Sequence, residues 1–271
     1  MLNIDEIKEE LLKAIALNDE DYVFLSGSLI QGIGNSKSDL DVFVIKKEFH
    51  SLNDIEEIVY NNDDVKTTFV TVQGVNCDIE YWPEAVVESL LKQVKALNFE
   101  DLSIRTNNQI DIVGYSLDDV TSLLHRFIVS KPIFNQQSYF QARNRLDQAK
   151  FCKFMSRKLI NSIDNDYDDI LGNLEISQFE TAYIIAHDAL FKAVQAFLFS
   201  KQRTLDKKKW TYILLNSLAL EDPEAAFILK RVNQLLFHCS NMDRQEIGKQ
   251  AERLLEFINF IIDGIGQKGE F

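Results

Sequence analysis

The sequence is poor in the residues that staple, kink or anchor a chain: three cysteines, three prolines, two tryptophans and four histidines in 271 residues. Cys77, Cys152 and Cys239 lie far apart with no metal-type spacing, which argues against a zinc framework or a disulfide scaffold and leaves them as buried thiols. No apolar run approaches the ~18 residues that cross a bilayer, no segment is low in complexity, and nothing repeats at a fixed period. The first residues, MLNIDEIKEELLKAIAL, are acidic and amphipathic, unlike a basic leader before an apolar stretch. A cytoplasmic location and no membrane partner are therefore expected. A basic excess is missing as well. The net charge is -13, and through Tyr115 there are 22 acidic residues against 9 basic, while the remaining 20 of each sign cancel. An acidic half attracts metal ions and cationic ligands and opposes broad contact with a nucleic-acid backbone. No long nucleic-acid partner is expected.

What is present is ordinary for a globular protein, 46% hydrophobic and 26% charged, and long enough for one large or two small domains. The stretch that organises the chain is DYVFLSGSLIQGIGNSKSDLDVFVI, residues 21–45. Tyr22–Leu25 and Val42–Ile45 read as two buried strands around a polar turn. Residues two apart on a strand point to the same face, so Asp39 and Asp41 can present paired carboxylates at the mouth of the second strand. Hard oxygen donors of this kind suit magnesium together with substrate phosphates. Gly27, lacking a Cβ, lets a phosphate approach the backbone, and Ser28 adds a hydroxyl donor.

Around this stretch the periodicity predicts a helix over 4–17, a short helix over 53–60, strands over 67–72 and 76–82 joined at Gln73-Gly74-Val75, a helix from Pro83 to Ala96 and a last strand over 109–113. From Leu117 the pattern turns helical: 117–129, 136–163, 177–200, 205–218, 223–237 and 243–262, with turn signals at Lys131-Pro132, Asn165-Asp166, Leu171-Gly172 and Glu221-Asp222-Pro223. A strand-rich half before an all-helical half predicts an α+β domain followed by a helical bundle. In the strand of Cys77–Trp82, Asp78 and Glu80 share one face. Two acids there are costly to bury unless something coordinates or bonds them.

Gly27, Ser28, Gly32, Ser38, Asp39 and Asp41, set between two apolar strands, resemble the signature of the DNA polymerase beta-like nucleotidyltransferase superfamily. The layout of the whole chain is similar to small-molecule nucleotidyltransferases of the kanamycin type. The resemblance implies an N-terminal catalytic domain over 1–115, a mixed sheet with flanking helices, and a helical substrate-binding domain over 116–271. It implies catalysis by Asp39, Asp41 and a third carboxylate, Asp78 or Glu80, with two magnesium ions, or manganese in their place, on Asp39, Asp41 and Asp78. It further implies nucleotide contacts from Gly27, Ser28, Ser38 and Lys209. The expected activity is transfer of a nucleoside monophosphate, AMP, from ATP to a hydroxyl of a small acceptor such as an aminoglycoside-like antibiotic. A homodimer is an option. Synthesis of a cyclic or short oligonucleotide, or a regulatory, antitoxin-type role on a protein partner, are the alternatives. Gln31 departs from the basic or aromatic residue many relatives carry before Gly32.

Three features of the helical half have structural and functional readings. Arg143, Lys150, Lys153 and Arg157 form a basic stripe that suits either phosphate or solvent. His187-Asp188 lies in an apolar helix, where a core histidine is the simpler reading. Arg231 and His238 are similar to the arginine-histidine pair of HEPN ribonucleases, but Val232 stands where those enzymes carry a polar residue.

Overall fold

The computed structural model describes residues 4–48, 60–62, 65–101, 104–237 and 242–267. The chain divides into two compact units: Met1–Asn98 with Asn107–Asp147, and Phe99–Thr106 with Gln148–Phe271. The architecture is α+β, a mixed sheet with flanking helices in one unit and a helical bundle in the other.

In the sheet unit, β1 (Tyr22–Ser26), β2 (Leu40–Lys46), β3 (Tyr60–Asn62), β4 (Val65–Val72), β5 (Val75–Pro83) and β6 (Lys131–Phe134) lie in the order β3-β4-β5-β2-β1-β6. β2 and β5 run parallel, and every other pairing is antiparallel. Gln73 and Gly74 both have positive φ, 50° and 79°, which makes the β4–β5 connection a two-residue turn of the kind that matches strand twist. Strand alternation sends Val23, Leu25, Leu40, Val42, Val44, Cys77, Ile79 and Tyr81 to one face, where Ile7 and Leu11 of α1 (Ile4–Lys13) and Ile15 just after it cover them. On the other face Phe24 stacks on Phe43 at 5.1 Å and meets Phe127 and Tyr139 at 5.3 and 5.8 Å. Phe127 comes from α4 (Leu117–Ile128), whose N-terminus is closed by a capping box between Ser116 and Asp119. α2 (Gly27–Gln31), α3 (Glu84–Ala96) and α5 (Gln136–Arg143) complete the unit.

At the far end of β1 and β2 a buried ion pair joins Lys46 to Asp21 at 2.5 Å. Further hydrogen bonds support it: Lys46 Nζ donates to the Ala16 carbonyl, and Asp21 accepts from the backbone N–H groups of Asn18 and Lys47. Such added bonds help to offset the desolvation of a buried charge pair.

The helical unit is built on α6 (Gln148–Glu175), α7 (Phe179–Ser200), α8 (Thr211–Leu218), α9 (Pro223–Phe237) and α10 (Arg244–Gln267). α7 packs on both α6 and α10. Small residues at Ala182, Ala186, Ala189, Ala193 and Ala196 are all buried and allow this close approach. Ser156 Oγ reaches the Ala196 carbonyl at 3.1 Å. Among the described residues, α7 is long and apolar enough to cross a membrane, yet 56% of that stretch is buried inside the protein, as in a core helix.

Several expectations need correction. The strand expected over 109–113 does not form; those residues are irregular after a single 3-10 turn at Thr106–Asn108. Lys131-Pro132, which looks like a turn, opens β6 instead, and proline is tolerated there because β6 is an edge strand. The helix expected over 136–163 breaks between Arg143 and Gln148 and then runs on to Glu175, through Asn165-Asp166 and Leu171-Gly172, because the i, i+4 bonds and packing of α6 outweigh local turn preference. The boundary expected at 115 falls instead after Asp147, since α4, β6 and α5 all pack on β1. The helix expected over 53–60 lies almost wholly outside the described residues; Tyr60 itself begins β3.

Candidate active site

Three neighbouring strands set the geometry. Asp41 on β2 is level with Ser26 on antiparallel β1 and with Asp78 on parallel β5. One step further along lie Phe24, Phe43 and Glu80. Facing pairs on adjacent strands share a side of the sheet, so Ser26, Asp41, Asp78 and Glu80 belong to the face covered by α4. Asp39 sits exposed just before β2.

β1 ends at Ser26, and Gly27 opens α2 with φ of +84°. A Cβ on Gly27 would stand 1.6 Å from Asp41 Oδ2 and 2.8 Å from Arg126 Nη1. Glycine is therefore required here because a carboxylate is packed against the backbone, a reason different from the phosphate approach that the sequence suggests. Ser26 does not cap α2; its hydroxyl donates to the Arg126 carbonyl at 2.7 Å, which ties the C-terminal turn of α4 to the end of β1.

Arg126 is the residue beside the acids that sequence reasoning misses. Its Nη1 lies 2.6 Å from Asp41 Oδ2, with the arginine side chain 9% exposed and the aspartate 22%. The guanidinium also lies 6.0 Å from the centroid of the Phe43 ring. A signal exists in the sequence: Arg126 follows Leu123 by three residues and precedes Phe127, so a cation occupies the apolar face of an amphipathic helix. Nothing local says which acid it meets.

Glu80 is half-buried and accepts a hydrogen bond from the Trp82 indole at 3.1 Å. Burial raises its carboxyl above the ordinary value, while that hydrogen bond and the charge of Arg126 pull it back. Burial also pushes the Cys77 thiol up to about 11, with the charges of Asp78 and Asp39 adding to the effect and a backbone hydrogen bond at Val72 opposing it. Cys152, in the other unit, rises to about 12 by burial alone, and both are buried thiols, as expected. Cys239 lies outside the described residues.

The remaining expected residues scatter. Ser28 stands in the first turn of α2, where its carbonyl accepts from Ile33 and Gly34. Ser38 closes a turn: its Oγ accepts from Asn35 N–H at 2.9 Å. Lys209 belongs to the helical unit, exposed and over the Trp210 ring at 4.6 Å. There too Lys208 pairs with Asp188, and Lys153 and Arg157 lie over the Phe99 ring at 5.2 and 5.1 Å. Arg143 is on α5, so the expected basic stripe is split between two helices and two units. Arg231 bonds Gln234 on its own helix, and His238 lies outside the described residues. A cavity of about 830 Å³ on the sheet unit lies away from the acids, lined by Glu88, Lys92, Lys95 and Arg145 among others.

Magnesium is implied by the resemblance, so the fit of these residues to it matters. The donor chemistry is right, but the side chains do not converge: among the described residues no three of His, Cys, Asp or Glu group to hold a metal. Asp41, which would be the central ligand, already faces a guanidinium. As placed, these residues do not fit a two-ion site.

No model of a known protein family matches the sequence, and no curated protein matches it. Among solved structures, the chain is similar to a nucleotidyltransferase-like protein from Exiguobacterium sibiricum, with 13% identity and a TM-score of 0.51 over 97% of this chain and 76% of that one. At that identity the likeness speaks to the fold, and the fold of this chain is nucleotidyltransferase-like, an α+β sheet domain with a C-terminal helical region.

Proposed function

We propose that the chain is a nucleotidyltransferase, which moves a nucleoside monophosphate, AMP in the first instance, from a nucleoside triphosphate to a hydroxyl of a small acceptor. An aminoglycoside-like cationic sugar suits the acidic charge of residues 1–115. The observation that carries this reading is the level row of Ser26, Asp41 and Asp78 on three adjacent strands, directly beneath the Gly27 turn, in a nucleotidyltransferase-like fold. The acceptor oxygen forms a bond to the α-phosphorus as the bond to the β-phosphate oxygen breaks and pyrophosphate leaves. The acceptor proton passes to a carboxylate of the row, and Asp78 is the residue we assign. Gly27 and Ser28 lie where the triphosphate would approach. No step is assigned to a metal ion, and Asp41 would take part only on parting from Arg126.

A second reading is favoured by that same contact. With Asp41 held by Arg126, the fold would bind a nucleotide without turning it over and act as a regulatory module. One experiment separates the two. The protein is incubated with each labelled nucleoside triphosphate, magnesium or manganese, and a panel of hydroxyl acceptors, beside Asp41→Ala and Asp78→Ala. Transfer that both substitutions abolish supports the enzyme. Transfer surviving in both refutes the assigned row, and nucleotide binding with no transfer supports the regulatory reading.

A further inference from the structure

We propose that Arg126 is the resident cation of this site, filling the position at which a divalent ion would meet Asp41, so that a free metal ion must compete with the guanidinium for that carboxylate. The inference concerns the same acidic row as the transferase reading but does not depend on turnover.

Four observations place the arginine there by construction. The Ser26 hydroxyl, itself buried, holds the Arg126 carbonyl at 2.7 Å and so fixes the last turn of α4 against β1. Nη1 reaches Asp41 Oδ2 at 2.6 Å with only 9% of the arginine side chain exposed, which makes this a desolvated contact unlike the mobile pairs of a surface. The guanidinium carbon lies over the Phe43 ring, 6.0 Å from its centroid. Gly27 has no Cβ at the point where one would collide with both partners, so the turn is shaped around the pair. Glu80 on β5 also feels the charges of Arg126, Asp41 and Asp78, so one positive charge among these acids is already carried by the protein. A cation arriving from solvent must displace a side chain that is already desolvated and hydrogen-bonded, a cost that an open carboxylate row would not impose.

The test titrates the full-length protein with manganese alone, without nucleotide, and reads free manganese by electron paramagnetic resonance. Wild type, Arg126→Gln, Arg126→Lys, Asp41→Asn and the Asp41→Asn/Arg126→Gln double variant are compared. Arg126→Gln should bind manganese at least about tenfold more tightly than wild type, a difference of about 1.4 kcal/mol. The gain should vanish in the double variant, and Arg126→Lys should behave as wild type. Equal binding by wild type and Arg126→Gln, or a gain that survives without Asp41, overturns the proposal. Should Arg126→Gln fail to fold, wild type against Asp41→Asn decides it with the arginine in place: equal, weak binding supports the resident cation, and tight binding lost with Asp41 refutes it. Turnover is read nowhere in this titration, so failure of the transferase reading and failure of this one are distinguishable.

Discussion

Replacing Gly27 with alanine tests how the turn and the ion pair are coupled. A Cβ with φ near +84° costs about 1–2 kcal/mol in backbone strain alone. It would also stand 1.6 Å from Asp41 Oδ2, so the carboxylate must leave and the pair with Arg126 must break. Losing one partner of a fully buried pair costs about 3–5 kcal/mol, and with Asp41 22% exposed a value discounted below that range for solvent screening, about 2 kcal/mol, is appropriate. Gly27→Ala should therefore destabilise the sheet unit by about 3–4 kcal/mol. In an Asp41→Ala background the collision is gone and only the strain of about 1–2 kcal/mol should remain, a coupling of about 2 kcal/mol. The chain has one tryptophan in each unit, Trp82 and Trp210, so denaturant unfolding followed by fluorescence in a Trp210→Phe background reports the sheet unit by itself. A loss below about 1 kcal/mol, or the same loss with and without Asp41, would refute the idea that Asp41 is packed on the Gly27 backbone.

Other outcomes follow from the charges. Glu80 is held above the ordinary carboxyl value chiefly by burial, so the folded chain keeps a proton that the unfolded chain releases. Its contribution is present below the unfolded value and lost as pH rises through the folded one, so Glu80→Gln should gain stability relative to wild type on going from about pH 4 to about pH 8, measured by urea midpoints. Asp222 is held below the usual range chiefly by its bond to Lys201, and it accepts from the N–H groups of Glu224 and Ala225 at the start of α9. Asp222→Ala should cost about 1–2 kcal/mol near neutrality, a difference that fades as pH falls through the folded value, and an unchanged thermal midpoint at pH 7 would contradict the cap. Partial burial and then Lys208 depress His187, with Asp188 opposing. Lys208→Gln should raise the His187 midpoint seen by NMR titration, and a fall would show that the lysine's main effect is elsewhere.

The strands around the acids were legible because apolar β-favouring runs end abruptly at polar turns, and alternation then sorts Asp41, Asp78 and Glu80 onto one side. The sequence could not show the partner of Asp41, since an arginine 85 positions further on meets it only once α4 has docked on β1. The same limit explains the misplaced boundary. Lys131-Pro132 carries turn chemistry locally, and only pairing with β1 turns it into a strand edge. Asn165-Asp166 and Leu171-Gly172 likewise suggest breaks that the continuous packing of α6 overrides.

The position of β6 bears on how the protein is made. β1 lies between β2 and β6, and β6 is encoded some fifty residues after the last of the other strands. While the ribosome is still adding those residues, the emerging sheet shows bare backbone along β1, an invitation to wrong strand partners. A gene fragment stopped at residue 115 would freeze the molecule at that stage, which commends cloning through Asp147 or beyond to anyone seeking soluble material from the N-terminal half.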